Sequence, residues 1–381
     1  MSPSTHLFSS AVDLETAQGH VYDALVVGAG PAGSSAAYHL AKHGVDVLLV
    51  ERAVFPREKS CGDAIMPPAL AELAHLGLAA EVRTRFTQVD QIGMWVNGVP
   101  MGFHPVGEEE NGVGYVAPRF AFDALLCDHA IAHGATWLDR VTVEAVIPEQ
   151  QYARVRGRRG NAQVDLRARV VVGADGSGSR LARMLRNASE EHSDHAAVEA
   201  VTPPRDDRAR FTAMRGYMTG IEGLSESLEF YFGAAGTTYF WVFPTGQESA
   251  NVGVIASMEQ LRTKKTNLET ALFAFLHTQE LERRTRHAQL HGRWRAAPIA
   301  AGLRGTALFG QRLLCVGDAA ALVDPSSAEG ISGALWSGRL AAETVISALK
   351  QNDISLQSLS GYGTAVYARY LVRYDALLHQ G

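Results

Sequence analysis

Short apolar, β-branched runs recur along the chain and end on glycine or an acid. Ala24–Val27, within YDALVVGAG, leads into Gly28-Ala-Gly30-Pro-Ala-Gly33. A stretch with helical spacing follows (SSAAYHLAKHG), stops at Gly44, and gives way to Val45–Val50, which ends at Glu51. Such runs are what strands buried on both faces look like, so residues 22–51 read as one βαβ unit. Val170–Val172 and Leu313–Val316 are two more strands of this kind. The first ends at Gly173-Ala-Asp175-Gly176. The second ends at Gly317-Asp318, with a helix expected to start near Ala328–Gly330 and to continue through Ala341. Residues 211–256 behave differently: FTAMRGYMTG, SLEFYFG, TYFWVFPTG and ANVGVIAS read as strands, and alternation in the third puts Tyr239, Trp241 and Phe243 on one face.

Composition narrows the class. Of 381 residues 46% are hydrophobic and 20% charged, enough for a sizeable core and too apolar for a disordered chain. The net charge of -5 offers no basic excess for phosphates, so no nucleic-acid partner is expected. Cys61, Cys127 and Cys315 are too scattered for a disulfide framework and never meet His at zinc-ligand spacing, so no metal is expected. These features predict a reduced, cytoplasmic protein. No run of about 18 apolar residues spans a membrane, which leaves peripheral contact open. Residues 1–20 lack the regions of a signal peptide and are expected to be a mobile leader. Lys264-Lys265 and the charges in LERRTRH (residues 281–287) are expected on solvated helix faces.

The glycine spacing has a specific physical meaning. Gly28 permits the tight turn, Gly30 lets a pyrophosphate approach the backbone, and Gly33 lets the helix pack on the strand. The helix start supplies free N–H groups and a positive dipole end. Glu51 stands where its carboxylate can accept from both ribose hydroxyls of a dinucleotide.

The glycine motif, the mid-chain Asp175-Gly176 turn and the late Gly317-Asp318 strand end together resemble the glutathione-reductase-type FAD fold, and more narrowly the class A flavoprotein monooxygenase superfamily. Two further segments are similar to the geranylgeranyl reductase family: Phe55-Pro-Arg57-Glu-Lys-Ser-Cys61-Gly-Asp63, and Tyr239-Phe-Trp241-Val-Phe243-Pro244 followed by Asn251-Val-Gly253. The resemblance covers nearly everything from residue 21. It implies an α/β fold: a Rossmann-like FAD-binding domain of residues 21–88, 112–186 and 296–381, with an inserted, mostly antiparallel β substrate domain of residues 89–111 and 187–295. FAD would be held by Gly28, Ala29, Gly30, Pro31, Ala32, Gly33, Glu51, Arg52, Arg57, Cys61, Gly62, Asp63, Arg119, Asp175, Gly317, Asp318, Pro325, Gly330 and Ile331. Asp318 would accept from the ribityl hydroxyls. The helix near Gly330 would aim its dipole at the pyrimidine edge and stabilise reduced flavin, with Pro325 stiffening its entry.

The family's activity implies hydride transfer from flavin to a carbon–carbon double bond of a hydrophobic, isoprenoid or polyene-like substrate. Cys61, Tyr239 and Trp241 are then the catalytic candidates. A thiol of ordinary pKa is protonated at neutral pH and can donate the proton. No second glycine–helix unit is present, so NAD(P)H as a transient visitor, or an electron-donor protein, would reduce the flavin. The same cofactor motifs serve a monooxygenase that hydroxylates or epoxidises. Flavin-dependent halogenases share the fold but use a lysine soon after the Asp63 loop, and this chain has none from residue 60 to 263. The sequence departs from the family where Ala321 and Ala328 replace glycines, where Asp324, Ser326 and Ser327 replace other motif residues, and at Ala64. The tail after Asp318 is also shorter than in many members. These departures bear on the substrate more than on FAD.

Overall fold

The structure, a computed structural model, describes residues 11–107, 112–191, 210–233, 238–301, 307–325 and 327–378. The apolar runs do form parallel strands. Val21–Val27 lies between Val47–Val50 and the end of Ala162–Gly173, and Thr136–Leu138 and Leu313–Cys315 extend the sheet on either side. The registers align Val27 with both Val50 and Gly173, and Gly173 with Cys315. All these strands therefore stop at one edge, and the turns that follow them, far apart in sequence, emerge together. That edge is where open parallel sheets bind ligands. The helix Pro31–Lys42 packs there against Ile331–Lys350. A Cβ on Gly338 would stand 2.3 Å from the Ala32 carbonyl oxygen, so this glycine sets how closely the two helices approach.

The alternating segments form a second, seven-stranded sheet in the order Gln289–Ala300, Arg210–Thr219, Ser249–Ser257, Tyr239–Pro244, Ser227–Phe232, Gln91–Val96 and Val99–Pro105. Its pairs are antiparallel except Ser227–Phe232 with Gln91–Val96. One face of Tyr239–Pro244 turns toward the parallel sheet's ligand edge. On the other, Phe240 stacks on Phe275 of the helix Leu268–Leu276 at a 4.4 Å centroid distance. Each sheet thus carries its own apolar core.

Three expectations are corrected. Residues 11–20 are no mobile leader: Asp13 caps the helix Leu14–Gly19 by accepting from the Thr16 N–H at 2.8 Å, the Val12 N–H donates to the Trp137 carbonyl, and Ala17 is fully buried. Residues 1–10 lie outside the described residues. The boundary expected at 295 falls inside the strand Gln289–Ala300, which hydrogen bonding to Arg210–Thr219 keeps continuous. The charges in LERRTRH are not all solvated: Arg284 is buried and pairs with Glu229 at 2.7 Å.

Candidate cofactor and substrate site

One cavity of about 1580 Å³ lies between the parallel-sheet edge and the second sheet. Ordinary ligand pockets enclose ~300–1,000 Å³, so a dinucleotide and a substrate fit together. Its first wall is the glycine turn. Gly28 has φ +105°, and a Cβ there would stand 2.4 Å from the Ala174 carbonyl oxygen. Gly33 is packed tighter still against Gly28. Gly30 differs: its face is open, with Arg57 and Arg119 guanidinium nitrogens 3.6 and 3.8 Å from where a Cβ would be. Gly30 starts the helix Pro31–Lys42 without a side-chain cap. The first N–H groups are left for a ligand.

The two arginines share one carboxylate. Asp123 accepts from Arg119 Nε at 2.6 Å and Nη2 at 2.8 Å, and from Arg57 Nη1 at 2.6 Å. Burial opposes the charge on Asp123, but Arg119 and then Arg57 outweigh it and hold the carboxyl below the usual range. Two cations against one anion leave net positive charge beside the open Gly30 cradle, which fits a diphosphate. Glu51 braces the turn itself. Its oxygens accept from the Ala29 and Ala53 N–H groups, both at 2.9 Å, and so tie the first two strand ends together. Each carboxylate oxygen keeps a second lone pair for a ribose hydroxyl.

At the other end Asp318 lies beside Gly330, which opens the helix Ile331–Lys350 with no side-chain cap. Pro31, Ala32, Arg52, Gly62 and Ile331 also line the cavity. Ala29, Gly33 and Gly317 do not: they are packing positions, Gly317 with φ +58° against Ala32. Pro325 is exposed and off the cavity, and the helix begins only at Ile331, so Pro325 does not stiffen its entry. Asp175 lines the cavity, yet its carboxylate accepts from the Ser179 hydroxyl at 2.6 Å and the Arg180 N–H at 2.8 Å, capping the next helix. Ser326 lies outside the described residues.

The opposite wall is aromatic. Tyr239, Trp241 and Phe243 face the cavity with Phe230 and Ile255. The Tyr239 hydroxyl donates to the Ser327 carbonyl oxygen at 2.9 Å, and burial raises its pKa, so it stays protonated. Between the walls runs Cys61-Gly62-Asp63. Gly62 lies against Phe243, which would sit 3.1 Å from a Cβ there. Burial pushes the Cys61 thiol up, against the pull of Arg119.

Several residues of the site were not singled out from the sequence. Trp241 Nε1 donates to Asn251 Oδ1 at 2.9 Å, which turns the Asn251 amide so that Nδ2 donates to the Cys61 carbonyl oxygen at 2.7 Å and to Asp63 Oδ2 at 2.8 Å. The Tyr217 hydroxyl donates to the same Oδ2 at 2.5 Å. Arg215 lies over the Tyr217 ring at 4.2 Å and donates to Glu58 and to the Lys59 carbonyl. The Asp63 carboxyl thus faces the sheet's polar side chains. The sequence signal for Asn251 was one amide inside an otherwise apolar strand. For Asp123 it was its place one helical turn after Arg119.

Residues 21–353 match the FAD binding domain family. The chain is 29% identical to the digeranylgeranylglycerophospholipid reductase of Thermoplasma acidophilum over 92% of this chain and 84% of that protein. It is 30% identical to that of Methanosarcina acetivorans, over 89% and 78%. Among solved structures, a geranylgeranyl bacteriochlorophyll reductase-like protein from Thermoplasma acidophilum superposes with TM-score 0.78 at 27% identity, covering 92% of this chain and 84% of that one. The myxobacterial chondrochloren halogenase CndH superposes with TM-score 0.77 at 23% identity over 94% and 82%, a likeness of fold.

Proposed function

The chain belongs to the FAD binding domain family and resembles digeranylgeranylglycerophospholipid reductases, and from that premise we propose that it is an FAD-dependent reductase of carbon–carbon double bonds in an isoprenoid or polyene-like substrate. The observation that carries this reading is the single cavity with a cationic glycine cradle on one wall and the Tyr239–Trp241–Phe243 surface on the other, with Cys61 between them. FAD, when bound, supplies the hydride. The residues that would hold it are Gly28, Gly30, Glu51, Arg57, Arg119, Asp318 and Gly330. The apolar wall excludes water and takes up a hydrocarbon chain. Tyr239 is held by Ser327 and orients that wall. The Cys61 thiol, kept protonated by burial, supplies the proton. NAD(P)H visiting the cavity, or an electron-donor protein, restores the reduced cofactor. Among the described residues no helix is long and apolar enough to cross a membrane.

The test is anaerobic. The flavin-loaded protein is reduced, mixed with a polyprenyl substrate without oxygen, and the product is weighed by mass spectrometry. A gain of two hydrogens per double bond is expected. Product that appears only in air and carries an added oxygen overturns the reading.

A further inference from the structure

Asp63 is a buried carboxyl with no cation bonded to it. Arg215, the nearest cation on the strand Arg210–Thr219, spends its donors on Glu58 and the Lys59 carbonyl. Asp63 Oδ1 has no hydrogen-bond partner among the described residues. The residue also takes φ +67°, a backbone state that favours Gly, Asn or Asp. A fold bears these costs poorly unless the group serves something. What Asp63 touches is the cysteine loop. Its N–H donates to Cys61 Sγ at 3.3 Å, and its carboxyl and the Cys61 carbonyl are clamped by one amide, that of Asn251.

We propose that Asp63 is the positioning residue of the Cys61 thiol: it fixes the sulfur through its own backbone and through Asn251, and its carboxyl opposes the guanidinium of Arg119 in setting the charge that the sulfur carries. The groups that bear on this pair are Arg119 from the helix Arg119–Ala132, Arg215 and Tyr217 from Arg210–Thr219, and Tyr239 and Asn251 from the neighbouring strands. Tyr217 and Asn251 only donate to Asp63, and Tyr239 stays neutral. The sulfur is therefore left between one cation and one carboxyl. Arg119 favours thiolate, while Asp63 and burial favour thiol. This inference rests on the reading of Cys61 as the proton donor, since a donor must arrive protonated and in place.

The test is the pH profile of Cys61 alkylation by iodoacetamide in the flavin-loaded protein. Cys127 and Cys315 are fully buried and leave Cys61 as the reporter. Asp63→Asn keeps the shape and the tolerance for positive φ. Its expected result is a midpoint lower by about one pH unit, hence about tenfold faster alkylation below the midpoint. Asn251→Ala, which cuts the tether and keeps the carboxyl, is expected to raise the plateau rate at a wild-type midpoint. It remains a test of positioning should Asp63→Asn fold poorly. A wild-type profile in either variant overturns the proposal. The assay needs no substrate, so a shifted midpoint supports it even where no polyprenyl substrate gains hydrogen, a result that overturns the reductase reading instead.

Discussion

Gly33 packs on Gly28 so closely that a Cβ would stand 1.7 Å from the Gly28 carbonyl oxygen. Gly30, in the same motif, is open on its cavity face. The two glycines therefore separate folding from binding. Gly33→Ala should give insoluble protein. Gly30→Ala should keep a near-wild-type melting curve but lose flavin affinity by about tenfold or more, ~1.4 kcal/mol for each tenfold, because a methyl stands where a diphosphate would lie. Flavin absorbance per protein, beside a thermal melt, reads both. A Gly30→Ala protein that stays fully yellow would place the diphosphate elsewhere.

Asp123 neutralises only one of the two guanidiniums that it holds. Asp123→Asn leaves a buried arginine unpaired and should cost about 3 kcal/mol in the flavin-free protein. Inorganic pyrophosphate, which fits the excess charge, should restore part of that loss. Urea midpoints with and without pyrophosphate check it, and a loss that the anion leaves unchanged would mean the arginines serve structure alone.

How much of this was legible in the sequence follows from the range of each signal. Gly28, Glu51, Asp175 and Asp318 each end an apolar run, so a local pattern marked them, and register brought them to one edge. Tyr239, Trp241 and Phe243 were legible through period-two alternation. Asn251, Tyr217 and Asp63 were not legible as a unit, because their meeting depends on how a loop after the second strand reaches the far sheet. Arg284 misled for a related reason: its partner Glu229 lies far away in sequence, and a charged helix looks the same solvated or paired. Pro325 misled because several residues separate it from the helix, which starts at Ile331 close to where it was expected.

Ala321 and Ala328 have φ +53° and +58°, where the family's pattern carries glycine. An L-residue in this region costs roughly 1–2 kcal/mol, and the extra chain entropy of an unfolded glycine returns ~0.4–1. Ala321→Gly and Ala328→Gly should each stabilise by about 0.5–1 kcal/mol with flavin content unchanged, read from urea midpoints. A loss of stability in either would show that the methyl is needed more than the backbone is strained.

Burial raises the Asp63 carboxyl from 3.8 to about 6, against the donors Tyr217 and Asn251, and raises Asp128 to about 6 as well. The sign of the resulting pH dependence is opposite to that of an ion-paired acid. Between the unfolded value near 4 and the folded value near 6, the native state holds a proton that the unfolded chain has released. Stability from these groups is thus complete below the unfolded value and is lost as pH rises through that window. For the fully buried Asp63 the loss is at most about 3 kcal/mol, from ~1.4 kcal/mol per pH unit. Asp123, held low by Arg119 and Arg57, acts the other way and below that window, where its protonation costs stability as pH falls. Urea midpoints from pH 4.5 to 7 should therefore decline more steeply in the wild type than in Asp63→Asn, and Asp128→Asn should flatten the remainder. If the wild-type and Asp63→Asn profiles run parallel, the carboxyl is charged throughout, and a cation or ordered water must reach Oδ1.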